Sequence, residues 1–231
     1  MEEAPCISQI ANLLADPKRT AMLWALMDGS AKSSEELATF AGLTPASANA
    51  HLARLTGSGL LRVEVGRGKR LFRVAAPDVS VAIDALASTT VASAARTAPE
   101  TAVPALAAPW SLRRARLCHG HLGGELAAHL YQQMLAAGWI ERHEHRTEVT
   151  HKGTQHLATL GIFTQALATP LVCDCFDWSQ QHPHLGGALG AGLLQLFLQS
   201  NWIGVVHDSQ ALVMSDIGLV EISRLVMPEQ S

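Results

Sequence analysis

The stretch that decides the fold runs Leu43-Thr44-Pro45-Ala46-Ser47-Ala48-Asn49-Ala50-His51-Leu52-Ala53-Arg54-Leu55, then Gly59-Leu60-Leu61, then Gly66-Arg67-Gly68-Lys69-Arg70-Leu71-Phe72-Arg73-Val74. Thr44 supplies a hydroxyl N-cap and Pro45 fits the first helical position, so a helix starts here and runs to about Thr56, before Gly57 and Gly59. Ala48, Leu52 and Leu55 fall on its inner face, which leaves Ala46, Ser47, Asn49, Ala50, His51 and Arg54 among the outward positions. Beyond it, residues 60–65 and 70–74 alternate around a Gly-rich basic turn, the pattern of a β-hairpin. Upstream, Ser33 or Ser34 can cap a short helix opened by Glu36 and Leu37 and closed by Gly42. Two short helices around a turn at Gly42-Leu43, followed by a hairpin, make a helix-turn-helix with a wing.

The charge pattern fits that outline. The 231 residues carry 17 basic and 20 acidic side chains, a net of −3. Between Thr44 and Ala75, however, Arg54, Arg62, Arg67, Lys69, Arg70 and Arg73 face only Glu64. A thin helix face of small and polar residues suits a major groove, where Ser47 and Asn49 can hydrogen-bond to base edges while wing cations reach phosphates. The residues expected to meet double-stranded DNA are Thr44, Ala46, Ser47, Asn49, Ala50, His51, Arg54, Arg67, Lys69 and Arg70. His51 has no second ligand at helical spacing, so it reads as a packing or phosphate-contacting residue rather than a metal ligand.

The recognition-helix and wing segments, with the hydrophobic pattern over residues 7–97, resemble the ArsR-type winged helix-turn-helix transcriptional regulators. The resemblance implies a homodimeric repressor that binds a palindromic operator and releases it when an effector binds or a thiol is modified. Metal-sensing members of that family carry a Cys-Val-Cys-type motif before the recognition helix; the matching stretch here, Glu35-Glu36-Leu37-Ala38-Thr39, has no cysteine. Further on, Arg113-Arg114-Ala115-Arg116-Leu117-Cys118-His119-Gly120-His121-Leu122-Gly123-Gly124 is similar to a Cys-Tyr-Asp-His-Leu-Ala-Gly motif of family members with a C-terminal extension. His119-Gly120 stands in place of the Tyr-Asp pair, so no role of that pair carries over.

The expected organisation has three parts. Residues 1–97 form the winged helix-turn-helix, with Pro77–Thr97 as a dimer helix presenting Val79, Ile83, Leu86 and Ala87. Residues 98–111, with Pro99, Pro104 and Pro109, read as a linker. Residues 112–231 form a sensing domain of two repeats, about 112–168 and 169–231. His121-Leu122-Gly123-Gly124 recurs as His184-Leu185-Gly186-Gly187, Trp139-Ile140 as Trp202-Ile203, and Thr150 to Gly153 as Ser215 to Gly218. Each copy is expected to hold a helix after His-Leu-Gly-Gly, a Trp-Ile strand, a short hairpin and a capped final helix. The fold class is therefore mainly α with small β-hairpins (α+β).

For the second half, Cys118, His119, His121, Cys173, Cys175 and His184 are the candidate effector or redox residues. Histidine and cysteine form the ligand set of Zn²⁺ or a softer metal, but no Cys-x-x-Cys occurs and no metal ligand set is assigned; a metal would sit at Cys118/His121 or Cys173/Cys175. Residues two apart on a strand lie ~6.5–7 Å apart, at the edge of disulfide geometry, so the redox arrangement is either a strained, reducible Cys173–Cys175 bond or pairing with Cys118. The effector is otherwise a small molecule held near Trp139, Trp178 and Trp202, unless those rings are plain core.

Neither a nucleophile elbow, a Walker loop nor a dinucleotide fingerprint is present, so catalysis is not expected. The acidic start Met1-Glu2-Glu3 is unlike a secretory signal, and the apolar run over 185–198 is shorter than the roughly 20 residues that span a bilayer, so a cytoplasmic protein without a membrane partner is expected. The alternative to a DNA-binding repressor is a metal- or thiol-binding redox sensor that uses its N-terminal domain for protein interaction.

Overall fold

The structure is a computed structural model that describes residues 7–66, 68–97, 109–143, 146–180 and 182–226. It divides into two compact units: residues up to Ile83 with the turn His207–Gln210, and the remainder from Asp84 onward. Arg67, Cys6 and most of the expected linker (98–108) lie outside the described residues. Among the described residues no helix is long and apolar enough to cross a membrane.

The first unit opens with α1 (Ile7–Leu14) and α2 (Pro17–Leu26). Asp16 caps α2 by accepting from the Lys18 and Arg19 N–H groups at 2.8 and 3.2 Å, with Pro17 in the position where a missing N–H costs nothing. A two-residue strand, β1 (Lys32–Ser33), leads into α3 (Ser34–Ala41). Of the two candidate caps Ser33 serves: its hydroxyl accepts from the Glu36 N–H, and the Glu36 carboxylate accepts from the Ser33 N–H at 2.7 Å. Gly42 closes α3 at φ +61°, a left-handed conformation that glycine adopts without the Cβ strain of other residues. Next come α4 (Pro45–Gly57) and the antiparallel wing β2 (Leu61–Gly66) and β3 (Lys69–Val74), paired from Leu61↔Val74 to Gly66↔Lys69. β1 adds to β3 as a third strand, through Lys32↔Phe72 and Ser33↔Leu71. A strand of two residues shows no alternation, so sequence patterning misses it. Met22, Leu23, Leu26, Leu37, Ala48, Leu52 and Leu55 make the core that fixes α4 against α2 and α3.

α5 (Pro77–Thr97) crosses the boundary between the units, which falls between Ile83 and Asp84 rather than after residue 97. Its expected apolar stripe is split: Ile83 is buried, Leu86 is exposed, and Ser80, Asp84 and Ser88 are buried.

The second unit is a duplicated ββαββα arrangement preceded by α6 (Trp110–Arg114). The first copy is β4 (Arg116–Cys118), β5 (His121–Gly123), α7 (Glu125–Ala136), β6 (Ile140–His143), β7 (Arg146–Val149) and α8 (His151–Thr159). The second is β8 (Cys173–Phe176), β9 (Pro183–Gly186), α9 (Gly187–Gln199), β10 (Ile203–Val205), β11 (Leu212–Met214) and α10 (Asp216–Arg224). The copies match in detail. Thr150 and Ser215 each cap the last helix by accepting from Gly153 and Gly218, and each N–H donates 3.0 Å to the carbonyl of Trp139 or Trp202. A Cβ on Gly153 or Gly218 would lie 1.9 or 2.0 Å from that same carbonyl oxygen, so the backbones meet too closely for any side chain. One cluster joins both copies, with Leu122, Tyr131, Met134, Trp139 and Leu157 packed with Leu185, Leu193, Phe197, Ile203 and Ile222.

The expected helix, strand, hairpin and capped helix of each copy are present. His-Leu-Gly, however, is a strand rather than a lead-in to the helix. It is half of an additional hairpin in each copy, too short to show a period in sequence.

Candidate nucleic-acid interface and a buried cysteine–histidine cluster

The outward surface of α4 carries Ala46, Ser47, Asn49, Ala50 and Arg54, all exposed, with Thr44 exposed at the cap. The Thr44 hydroxyl accepts from the Ser47 N–H at 3.3 Å and lies 3.1 Å from its hydroxyl, so both side chains are held at the helix start. Lys69 and Arg70 are exposed on the wing, with the Arg70 guanidinium 5.8 Å from the Phe72 ring centroid. His51 is only half exposed, with Nδ1 3.7 Å from the Asp16 carboxylate, closer to the α2 cap than an interface residue need be. Burial pushes Asp16 up, but the Arg19 and Lys18 N–H groups and the nearby charges of Arg19 and His51 outweigh it and hold the carboxyl below its ordinary value.

The other basic residues of this region do structural work. Arg62 and Arg73 both approach Glu64, at 3.1 and 3.3 Å. Arg62 also donates to the Ala75 carbonyl at 3.0 Å, and Arg73 to that of Gly29. The cations left exposed on the helix and wing, among the described residues, are therefore Arg54, Lys69 and Arg70.

In the second unit the candidate residues separate into two groups. Cys118, His121, Cys175 and His184 converge: the two sulfurs lie 3.8 Å apart and the two Nε2 atoms 3.1 Å apart. Cys118, His121 and His184 are buried and Cys175 partly so. The Cys175 contact, then burial, pushes the Cys118 thiol up to about 12, so in this arrangement it holds its proton. Cys173 is exposed, and His119 is exposed at φ +47°, its Nδ1 3.4 Å from the Cys118 sulfur.

Next to this cluster lies a buried ion network that the sequence did not reveal. Arg116, fully buried, donates at 2.9 Å to both Asp84 and Asp177 and stacks over Trp178 at 4.3 Å. Asp84 also accepts from the Trp178 indole, and Asp177 from Ser179, Gln180 and the Gly124 N–H. Burial pushes Asp177 up, but the Arg116 charge and these donors outweigh it and keep the carboxyl below its ordinary value.

Among the described residues the three tryptophans each have a different ring partner. Trp178 covers Arg116, Trp139 stacks on His156 at 4.9 Å, and Trp202 packs on Phe197 at 5.6 Å. A surface groove of about 430 Å³ is lined by Trp110, Arg114, Glu125, Leu126, His129 and Met214.

A short helix seated on an α2/α3 core, with a three-stranded wing behind it, defines a winged helix-turn-helix protein. Residues 14–64 match the family described as a helix-turn-helix domain. The chain is 29% identical over 226 residues to the HTH-type transcriptional regulator YdfF of Bacillus subtilis (strain 168), covering 95% of this chain and 96% of the other. Solved structures similar to part of it include the homodimeric winged helix-turn-helix DNA-binding domain of Mb0332 from Mycobacterium bovis, a possible ArsR-family transcriptional regulator: TM-score 0.35, 22% identity, 42% of this chain and 87% of that one. Another is the cadmium metal-sensor CMTR from Mycobacterium tuberculosis: TM-score 0.31, 29% identity, 35% and 82%. Residues 14–64 therefore hold a helix-turn-helix domain, and the hairpin that follows gives it a winged architecture.

Proposed function

We propose that the protein is a homodimeric repressor that reads a palindromic operator with α4 and clamps the flanking phosphates with its wing. The observation that carries this reading is the exposed row Ser47, Asn49, Ala50 and Arg54 on a rigidly seated helix, beside exposed Lys69 and Arg70 on the hairpin. Asn and Ser make donor and acceptor pairs with base edges, and small alanines let the helix approach the groove floor. Arg67, between Gly66 and Gly68 in the sequence, adds a phosphate contact in the same reading. Dimerisation through α5, where Val81 is 43% exposed, would set two half-sites about one helical turn, ~34 Å, apart. The second unit is the sensing module, with an effector or thiol modification releasing the DNA.

Footprinting on the region upstream of the coding sequence tests this reading. Protection of two inverted half-sites one helical turn apart is the expected result. Uniform weak binding along the duplex, or none, contradicts it.

A further inference from the structure

We propose that Cys118, His121, Cys175 and His184 form a four-coordinate site for a borderline-soft divalent transition metal of the Zn²⁺ type. Each ligand pair comes from one repeat. On β4 and β5 the cross-strand register sets Cys118 opposite His121, and on β8 and β9 it sets Cys175 opposite His184. The two copies thus bring the same Cys/His pair to one point, with all four donor atoms within 4.8 Å of one another.

The sulfur–sulfur and nitrogen–nitrogen distances fit a tetrahedron. Metal–sulfur bonds of ~2.3 Å and metal–nitrogen bonds of ~2.0–2.1 Å at tetrahedral angles separate two sulfurs by ~3.8 Å and two nitrogens by ~3.3 Å. The structure has sulfurs at 3.8 Å and nitrogens at 3.1 Å. The charge also fits. As the thiols ligate they give their two protons to solvent, so a divalent ion with two thiolates and two neutral imidazoles is net neutral and adds no unpaired charge to a buried place.

A separate observation concerns the second ring nitrogen. His184 Nδ1 is buried without a hydrogen-bond partner and faces the Asp177 carboxylate at 3.9 Å. A metal on Nε2 fixes the proton on Nδ1, and a small ring shift then gives the carboxylate–histidine–metal arrangement that orients such ligands. With four protein ligands the site is closed, which assigns it to holding the two repeats together rather than to activating water.

The test is anaerobic titration of the reduced full-length protein with Co²⁺ alone, followed by Zn²⁺. The expected result is one Co²⁺ per chain with the intense visible bands of tetrahedral cobalt and a sulfur-to-cobalt charge-transfer band, all bleached by Zn²⁺. Cys175→Ser should remove about half of the charge-transfer intensity, whereas Cys173→Ser should leave the spectrum unchanged. Weak octahedral bands in the unmodified protein overturn the proposal without reference to any variant. A charge-transfer band equally diminished in Cys173→Ser, or retained in full by Cys175→Ser, also overturns it.

Discussion

In the proposed reading, Asn49 and Ser47 are the residues whose replacement alters what is read rather than how tightly DNA is held. Asn49→Ala should narrow the affinity gap between operator and scrambled duplex by about 1–3 kcal/mol, measured by fluorescence anisotropy on both. Those residues were legible because helical spacing alone sorts the faces of α4. The pairing of Arg62 and Arg73 with Glu64 was not, because it depends on a hairpin register that a sequence does not display. Arg116 was hidden for a related reason: its carboxylates lie 32 and 61 residues away. Arg116→Met should leave Asp84 and Asp177 buried without their cation and cost about 3–5 kcal/mol in urea unfolding.

At the level of single elements, local chemistry predicted most helix starts. The Ser33/Glu36 capping box ties down the first turn of α3, and Ser33→Ala should cost about 1 kcal/mol of unfolding free energy. Hydrogen bonds from the Ser33 N–H and hydroxyl, with some help from Lys32, hold the Glu36 carboxyl below its ordinary value of 4.5. A carboxyl lowered in the folded state stabilises fully above its unfolded value, and that contribution fades as pH falls through the folded one. Stability of the unmodified protein should therefore decline more between pH 5 and pH 3 than that of Glu36→Gln, by roughly a few tenths of a kcal/mol for so exposed a group. The illegible elements were β1 and the additional hairpins β4–β5 and β8–β9, since two to four residues cannot establish a period. The glycines beside them were better signals. Gly218→Ala would drive a Cβ into the Trp202 carbonyl and should destabilise the second unit by about 1–3 kcal/mol or more, while Gly204→Ala, with nothing within 4 Å, should change stability by less than ~0.5 kcal/mol. Thermal unfolding of the two variants makes the comparison.

For the whole molecule, a net charge of −3 conceals a basic helix and wing on a chain that is acidic elsewhere. The two-repeat second half was legible from recurring His-Leu-Gly-Gly and Trp-Ile, whereas the meeting of Cys118 with Cys175 and of His121 with His184 required both copies to be folded together. The central claim is that Arg54, Lys69 and Arg70 bind DNA phosphates beside the reading face of α4. With three such cations from each of two protomers, the plot of log affinity against log salt should have a slope of roughly −5, or steeper with Arg67. The most direct test is that slope, measured on the upstream duplex for the unmodified protein and for the Lys69→Ala/Arg70→Ala double variant. The slope should become shallower by roughly 0.9 for each phosphate that the variant no longer neutralises, with affinity falling on every sequence alike. An unchanged slope in the variant, or no binding by the unmodified protein at low salt, would contradict the assignment of this face to DNA.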